Sequence, residues 1–156
     1  MLKTVVSYLS RTPAEPVHAH CDGPCGVYDP SSARIAAEAS LSMTKKILAL
    51  TPPAAGDAAA WAAYSNSMSR YIGIKEEQTH IAKEELLVLW TDYFKPPHVQ
   101  AYPNLHDIVW KATKLASAVK VEVNLEKAEA FLASVKEIHE IFWATKNRKV
   151  DWYTAS

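Results

Sequence analysis

The sequence predicts an all-α protein, an antiparallel four-helix bundle that follows a short cysteine-containing hook. Three observations predict this fold: apolar residues recur at helical spacing over four segments, prolines and capping residues separate the segments, and the connecting loops are short. With 156 residues, the chain has the length of one ordinary domain. We divide it into a leader at residues 1–19, the hook at residues 20–30 and the bundle at residues 31–156.

The composition is that of a globular protein with balanced charge. Hydrophobic residues make up 49% of the chain, which is enough to bury a core, and the 17 Lys and Arg residues match the 17 Asp and Glu residues. Nucleic-acid and polybasic membrane-surface proteins need an excess of positive charge, and no apolar run reaches the roughly 18 residues of a membrane span. We therefore expect neither nucleic acid nor a membrane among the partners.

Residues 1–19 are predicted to be a cleavable leader. The segment holds two basic residues, two prolines and an apolar patch at residues 5–9, which is shorter than the roughly 7–15 residues of a secretory signal. Its ending, Val17–Ala19, resembles a small-residue cleavage site only loosely, and a plain N-terminal tail fits the composition equally well. Because the apolar patch is short, we expect the protein to be cytoplasmic.

The first two predicted helices are long and separated by a proline pair. Asp29–Ser31 offers a cap and a first-turn proline for a helix that runs to about Leu50. A second helix is predicted from Asp57 to about Phe94, with Gly73 as its weak point, because glycine costs about 1 kcal/mol inside a helix. The residues predicted to face the core are Ile35, Ala39, Met43, Ile47 and Leu50 in the first helix and Trp61, Tyr64, Met68, Tyr71, Ile74, Ile81, Leu86, Leu89 and Tyr93 in the second.

Two further helices complete the predicted bundle. Prolines in Lys95–His98 end the second helix, and Pro103–Asn104 opens a third that runs to about Val119. Asn124 is a suitable cap for the fourth. The predicted core stripes are Leu105, Ile108, Val109, Ala112, Leu115 and Ala116 in the third helix, and Leu125, Ala128, Phe131, Leu132, Val135, Ile138 and Phe142 in the fourth.

The hook contains the donor atoms of a candidate metal site. His20 directly precedes Cys21, three residues separate Cys21 from Cys25, and Gly26 permits an unusual backbone angle after them. Two thiolates and an imidazole suit a late first-row metal, but they are too few for a closed structural zinc site. The Cys-x-x-x-Cys spacing alone is equally consistent with a disulfide, a redox pair or a weak metal site.

Cleavage between Ala19 and His20 would change the donor set. The free amine of His20, the backbone amide of Cys21 and the sulfurs of Cys21 and Cys25 can then surround one ion in a plane, with the imidazole above it. A tetragonal arrangement of nitrogen and sulfur donors favours nickel or copper over zinc. A cut one residue earlier or later would remove the amine from this chelate ring.

The residues His-Cys-Asp-Gly-Pro-Cys-Gly-Val-Tyr-Asp-Pro at positions 20–30 resemble the nickel-binding hook of the nickel-containing superoxide dismutases. The resemblance extends, in matching order, over most of the chain after the leader. The matching blocks are residues 33–35, 88–98, 102–106 and 141–146.

The resemblance implies a superoxide dismutase that converts superoxide to dioxygen and hydrogen peroxide by redox cycling of one nickel ion (Ni2+/Ni3+) per chain. It implies that leader removal exposes the amine of His20, which supplies that amine and its axial imidazole. Cys21 would supply a thiolate and its deprotonated amide, and Cys25 the second thiolate. The family forms homohexamers, so the implied partners are superoxide, further copies of the chain, a leader peptidase and a nickel chaperone.

The resemblance also assigns roles beyond the nickel ligands. Asp22 and Tyr28 would order the hook and the substrate pocket, and Tyr93 and Lys95 match the block near the site, where Lys95 is our candidate for attracting the superoxide anion.

Two features limit the match. Ala36 and Gln78 stand where family members that we can align carry a glutamate and an arginine that support the axial imidazole. A non-catalytic nickel- or copper-binding protein and a thiol-redox helical protein that uses Cys21 and Cys25 are the alternatives.

Overall fold

The computed structural model describes residues 25–155, and this part of the chain is helical without a β-strand. Its elements are α1 (Ser31–Ala49), α2 (Ala58–Val88), a π-helical turn (Leu89–Tyr93), α3 (Pro96–Ala101), α4 (Leu105–Val121) and α5 (Leu125–Thr145). Each long helix packs against two others, in the cyclic order α1, α2, α4, α5. The predicted helical bundle is confirmed, although the short helix α3 was not predicted. No helix in the described ranges is long and apolar enough to cross a membrane.

The helix boundaries follow the capping residues that the sequence offers. The side chain of Asp57 accepts a hydrogen bond from the backbone N–H of Ala60 (2.9 Å), and that of Asn124 accepts one from Lys127 (3.0 Å). These bonds satisfy N–H groups that have no partner inside the helix. At α1, Asp29 Oδ1 accepts the N–H of Ser31 (2.8 Å), but Pro30 occupies the N-cap position, so the predicted cap and first-turn proline both lie one residue earlier than expected.

Helices α4 and α5 bury their predicted apolar stripes. Phe131, Ile138 and Phe142 are fully buried, as are Leu105 and Ala112 facing them in the core. The periodicity was informative here because the large apolar residues of the predicted stripes are buried or partly buried, together with the alanines between them.

The predicted stripe of α1 is wrong in part. Ile35 is 56% exposed, whereas Ile47 is buried as predicted; in α2 the predicted core residue Trp61 is 41% exposed. Apart from Leu41 and Ile47, the buried positions on α1 are small or polar: Ala33, Arg34, Ala36, Ala37, Glu38, Ser40 and Thr44. Small side chains let two helices approach closely, so burial there follows size and not hydrophobicity.

Lys75 connects α2 to the end of α4. Its side chain is only 2% exposed, and Nζ donates hydrogen bonds to the carbonyls of Val119 (2.5 Å), Lys120 (2.9 Å) and Glu122 (2.9 Å). These carbonyls lie at the negative end of the α4 dipole, where a cation is favourable. Desolvation nevertheless lowers the pKa of Lys75.

After α5 the chain turns back across the bundle. Asn147 has a positive φ of 53°, and the N–H groups of Asn147 and Arg148 bond to the carbonyls of Ala144 (3.0 Å) and Trp143 (3.0 Å), the pattern of a Schellman motif. The segment that follows, residues 148–155, we call the C-terminal strap.

The C-terminal strap ends on α1. Tyr153 lies under the guanidinium of Arg34, 4.2 Å from ring centroid to Cζ, and the N–H of Ala155 donates to Glu38 Oε1 (2.6 Å). Nearer its beginning, the strap is joined to α5 by a hydrogen bond between Nε2 of His139 and the carbonyl of Val150 (3.2 Å). The strap therefore joins α5 to the first two turns of α1.

Candidate metal centre

Four of the seven predicted site residues lie in the part of the chain that the structure describes. Cys25 and Tyr28 belong to residues 25–30, which we call the hook root, and Tyr93 and Lys95 follow α2. His20, Cys21 and Asp22 lie outside the described residues.

Cys25 offers an exposed thiol at the beginning of the hook root. The chain then turns at Gly26, whose φ of +63° is a conformation that side-chain-bearing residues rarely adopt. A Cβ atom at this glycine would meet nothing within 4 Å, so the backbone angle and not space requires glycine here. Buried Pro30 leads the chain into α1. The predicted backbone role of Gly26 is thereby confirmed.

The structure brings Tyr28 and Tyr93 together although they are far apart in sequence. Their ring centroids lie 5.6 Å apart at an interplanar angle of 52°, and both residues are half-buried. Tilted aromatic pairs at this distance are favourable beyond the area they bury. The hook root is therefore held against the end of α2.

A π-helical turn sets the position of Tyr93. The N–H of Phe94 bonds to the carbonyl of Leu89 (2.9 Å), five residues back, so one extra residue is inserted relative to an α-helix. Lys95 is then extended (φ −125°, ψ 166°), as expected for a residue before proline. The prediction of a helix to about Phe94 missed this change, because apolar spacing does not reveal a single inserted residue.

Tyr93 is the centre of an aromatic cluster that the sequence did not reveal. Its ring stacks on His98 (5.3 Å, 18°) and contacts Phe142 (4.5 Å), with Lys146 Nζ 5.1 Å from the ring centroid. Its hydroxyl lies 2.6 Å from Thr145 Oγ1. The only signal for these residues was indirect: Phe142 belonged to a core stripe, and Thr145 and Lys146 to a block of the family resemblance.

Lys95 has an exposed side chain at the start of α3. Its backbone N–H donates to Nδ1 of His98 (3.1 Å), so this histidine satisfies a backbone group. Lys95 lines an open cavity of about 460 Å³ together with Trp90, Phe94, Pro96, Val99 and Gln100. The Lys95 side chain therefore lies at the surface, two residues after Tyr93 in the chain, and forms no ion pair within residues 25–155.

The residues at the two departures from the family pattern differ in what they can offer. Ala36 is buried and its methyl group makes no hydrogen bond, whereas Gln78 is half-buried and keeps a polar amide.

Among the predicted ligands, the described residues contribute one donor atom that suits nickel, the sulfur of Cys25. The exposed thiol of Cys25 is a soft donor suited to a late first-row metal. Within residues 25–155, no group of three or more His, Cys, Asp or Glu side chains is arranged to hold a metal ion. The other predicted ligands, His20 and Cys21, precede this part of the chain.

A helical bundle with an exposed thiol and two tyrosines at one end of its core defines a candidate helical metalloenzyme. The family model described as "Nickel-containing superoxide dismutase" matches residues 15–146. The chain belongs to this family. It is an oxidoreductase that acts on superoxide with a nickel cofactor, so the predicted family, activity and cofactor are confirmed, and the non-catalytic and thiol-redox alternatives fall away.

The sequence similarity to known proteins extends over nearly the whole length of those proteins. "Superoxide dismutase [Ni]" from Streptomyces seoulensis is 42% identical over 140 residues, which are 88% of this chain and 98% of that protein. The protein of the same description from Streptomyces coelicolor is 39% identical over 140 residues, with the same coverage. A crystal structure described as having nickel ligation of the oxidised state matches with a TM-score of 0.71 and 40% identity, covering 83% of this chain and all of that one.

Proposed function

We propose that the mature enzyme begins at His20 and holds nickel through the His20 amine and imidazole, the Cys21 thiolate and amide, and the Cys25 thiolate. The observation that carries this proposal is the exposed thiol of Cys25, three residues before Tyr28, whose ring packs on Tyr93. The contact fixes the root of the hook against the bundle. A donor atom on a chain anchored three residues away has a restricted range of positions, as a metal ligand needs.

When bound, nickel supplies one-electron redox chemistry, through which one superoxide is oxidised to dioxygen and a second is reduced, with two protons, to hydrogen peroxide. The chain's own residues have other tasks. Tyr28 and Asp22 order the hook and the water through which protons arrive. Gly26 allows the hook to leave the bundle at the required angle. The half-buried Gln78 amide is our candidate partner for the imidazole of His20, because Ala36 offers no polar group.

The N-terminal amine is tested by comparing three purified chains. A chain that begins at His20 should bind about one nickel per chain and destroy superoxide. A chain that begins at Ala19, and a chain from His20 with Cys25→Ser, should do neither. The measurements are intact mass, metal content by atomic emission and superoxide consumption. Full nickel content and activity in the chain that begins at Ala19 would contradict the proposed ligand set.

Lys95 is proposed to attract superoxide, since the chain from His20 has 15 Lys and Arg against 16 Asp and Glu residues, and its net charge of −1 gives no global attraction for an anion. The rate constant of the enzyme should fall with ionic strength, and Lys95→Ala should flatten this dependence because salt screens the exposed charge. The matched control is Lys45→Ala, at an exposed lysine of α1 far along the helix from the hook. Equal salt slopes for the enzyme and Lys95→Ala would remove Lys95 from the mechanism.

Assembly and location are proposed from the surface and the leader. Val27 of the hook root is 80% exposed and Ile35 of α1 is 56% exposed, and we propose that a homohexamer covers these two apolar side chains. Native mass spectrometry of the chain from His20 tests this, with Ile35→Asp expected to weaken assembly. The short apolar patch of the leader supports a cytoplasmic enzyme that a leader peptidase matures and a nickel chaperone loads. Cell fractionation, with mass spectrometry of the mature N-terminus, tests both.

A further inference from the structure

The hydroxyl of Tyr93 is held by one residue of α5, Thr145. The two oxygens lie 2.6 Å apart, within the range of a strong O–H···O hydrogen bond. Thr145 Oγ1 also lies 2.6 Å from the carbonyl oxygen of Phe142, three residues earlier in the same helix. Whether Tyr93 donates or accepts this hydrogen bond therefore depends on which oxygen the single hydroxyl hydrogen of Thr145 is directed to.

The Phe142 carbonyl decides that direction. A carbonyl oxygen can only accept, so the hydrogen of Thr145 points to Phe142. Thr145 Oγ1 then has only lone pairs for Tyr93, and the phenol must donate. The hydrogen of the Tyr93 hydroxyl is thereby directed into the bundle, toward α5, and not toward the hook root.

The ring of Tyr93 is fixed in this orientation on several sides. His98 stacks on it at 18°, Phe142 packs against it at 4.5 Å, and Lys146 Nζ lies 5.1 Å from its centroid. Phe142 is fully buried, so the ring cannot move in that direction without opening the core. The phenol is a rigid group whose hydrogen has one partner.

We propose that Thr145 is a positioning residue that takes the hydrogen of Tyr93, so that Tyr93 presents only its ring and an oxygen lone pair to the hook. This proposal rests on the proposed function in one respect, that nickel lies beside the hook root. It follows that Tyr93 orients Tyr28 and accepts hydrogen bonds, and that protons for the peroxide product come from other groups.

Three variants test the assignment. Thr145→Val keeps the shape of the side chain and removes the acceptor, whereas Thr145→Ser keeps it. Thr113→Val is the matched control, since the Thr113 hydroxyl also donates to a carbonyl three residues earlier (Trp110, 2.9 Å) but holds no tyrosine. Loss of one hydrogen bond should lower activity per bound nickel about fivefold in Thr145→Val, with little change in the other two.

A spectroscopic readout separates this proposal from the ligand set. The ring-mode doublet of tyrosine in Raman spectra distinguishes a donating from an accepting phenol, and subtraction of Tyr93→Phe isolates Tyr93. We expect a donor signal in the full 156-residue chain and in the nickel-loaded enzyme, lost only in Thr145→Val. An acceptor signal, or a donor signal that survives in Thr145→Val, would overturn the assignment. The full-chain spectrum needs no nickel, so this result does not depend on the ligands His20, Cys21 and Cys25.

Discussion

The two halves of the bundle are held together by different means. Helices α4 and α5 bury large apolar side chains, among them Leu105, Phe131, Ile138 and Phe142. Helices α1 and α2 also bury Leu41, Ile47 and Leu86, but most of their buried side chains are small or polar, and a 2.6 Å hydrogen bond joins Ser40 to Thr79. One half is stabilised mainly by apolar area, and the other by close helix approach with satisfied hydroxyls. A change in the size or polarity of a buried side chain should therefore change the free energy of unfolding by different amounts in the two halves.

The largest effect is expected from Phe131→Ala in α5. Phe131 is fully buried, and truncation of such a phenylalanine destabilises a protein by about 3–5 kcal/mol through lost burial and a cavity. Urea unfolding of the variant measures the loss, with Phe131→Leu as the milder control. A loss below about 1 kcal/mol would show that apolar area does not dominate this half.

Ala82→Leu tests the opposite property in the α1–α2 half. Ala82 is fully buried, so added methylene groups must push the helices apart, at a cost near the upper end of about 1–3 kcal/mol. The same substitution at exposed Ala130 of α5 should be nearly neutral. Thermal unfolding of both variants provides the comparison, and equal stability would mean that the small side chains are not required for close packing.

Lys75→Met should cost about 2 kcal/mol, because one buried and two partly buried carbonyls at the end of α4 lose their donor. A pH series sharpens this test. Since burial lowers the pKa of Lys75 below its ordinary value of 10.5, the unfolded chain binds this proton more tightly. The free energy of unfolding that Lys75 contributes therefore rises with pH between the two pKa values and is constant below both. Urea unfolding from neutral to alkaline pH should show this rise in the parent and in exposed Lys114→Met, but not in Lys75→Met.

The smallest effect is expected from Thr79→Val, which leaves Ser40 without its partner and should cost about 1 kcal/mol. Adding Ser40→Ala should recover part of the loss, because no buried hydroxyl then lacks a partner. A double-mutant cycle measures the coupling between the two residues. Additive losses would indicate that the hydrogen bond does not hold the two helices together.

The same contrast explains which parts of the fold could be predicted from the sequence. Hydrophobic periodicity identified four helices and the buried faces of α4 and α5, and residue type identified Asn124 as the cap of α5. It misplaced Ile35 and Trp61 because burial in the α1–α2 half follows side-chain size. Alanine, serine and threonine carry too weak a hydrophobic signal to mark a buried face.

The site was predictable only through its similarity to a known family. Residue chemistry made Cys25 a candidate ligand, but no spacing rule pairs Tyr28 with Tyr93. Their contact depends on the π-helical turn, which inserts one residue before Tyr93, and on the packing of α5. Thr145 was missed for the same reason, since a hydroxyl near the end of a helix ordinarily bonds only to its own backbone.

The path of the C-terminal strap has a practical consequence for handling the protein. Because Ala155 bonds to Glu38, a purification tag added after Ser156 would emerge beside α1, a few turns from the hook, and not at the far end of the bundle. In the ligand set proposed above, a tag fused directly to His20 would acylate the amine that is proposed to bind nickel. An affinity handle inserted into the exposed loop between α1 and α2, near Ala55 and Gly56, avoids both ends.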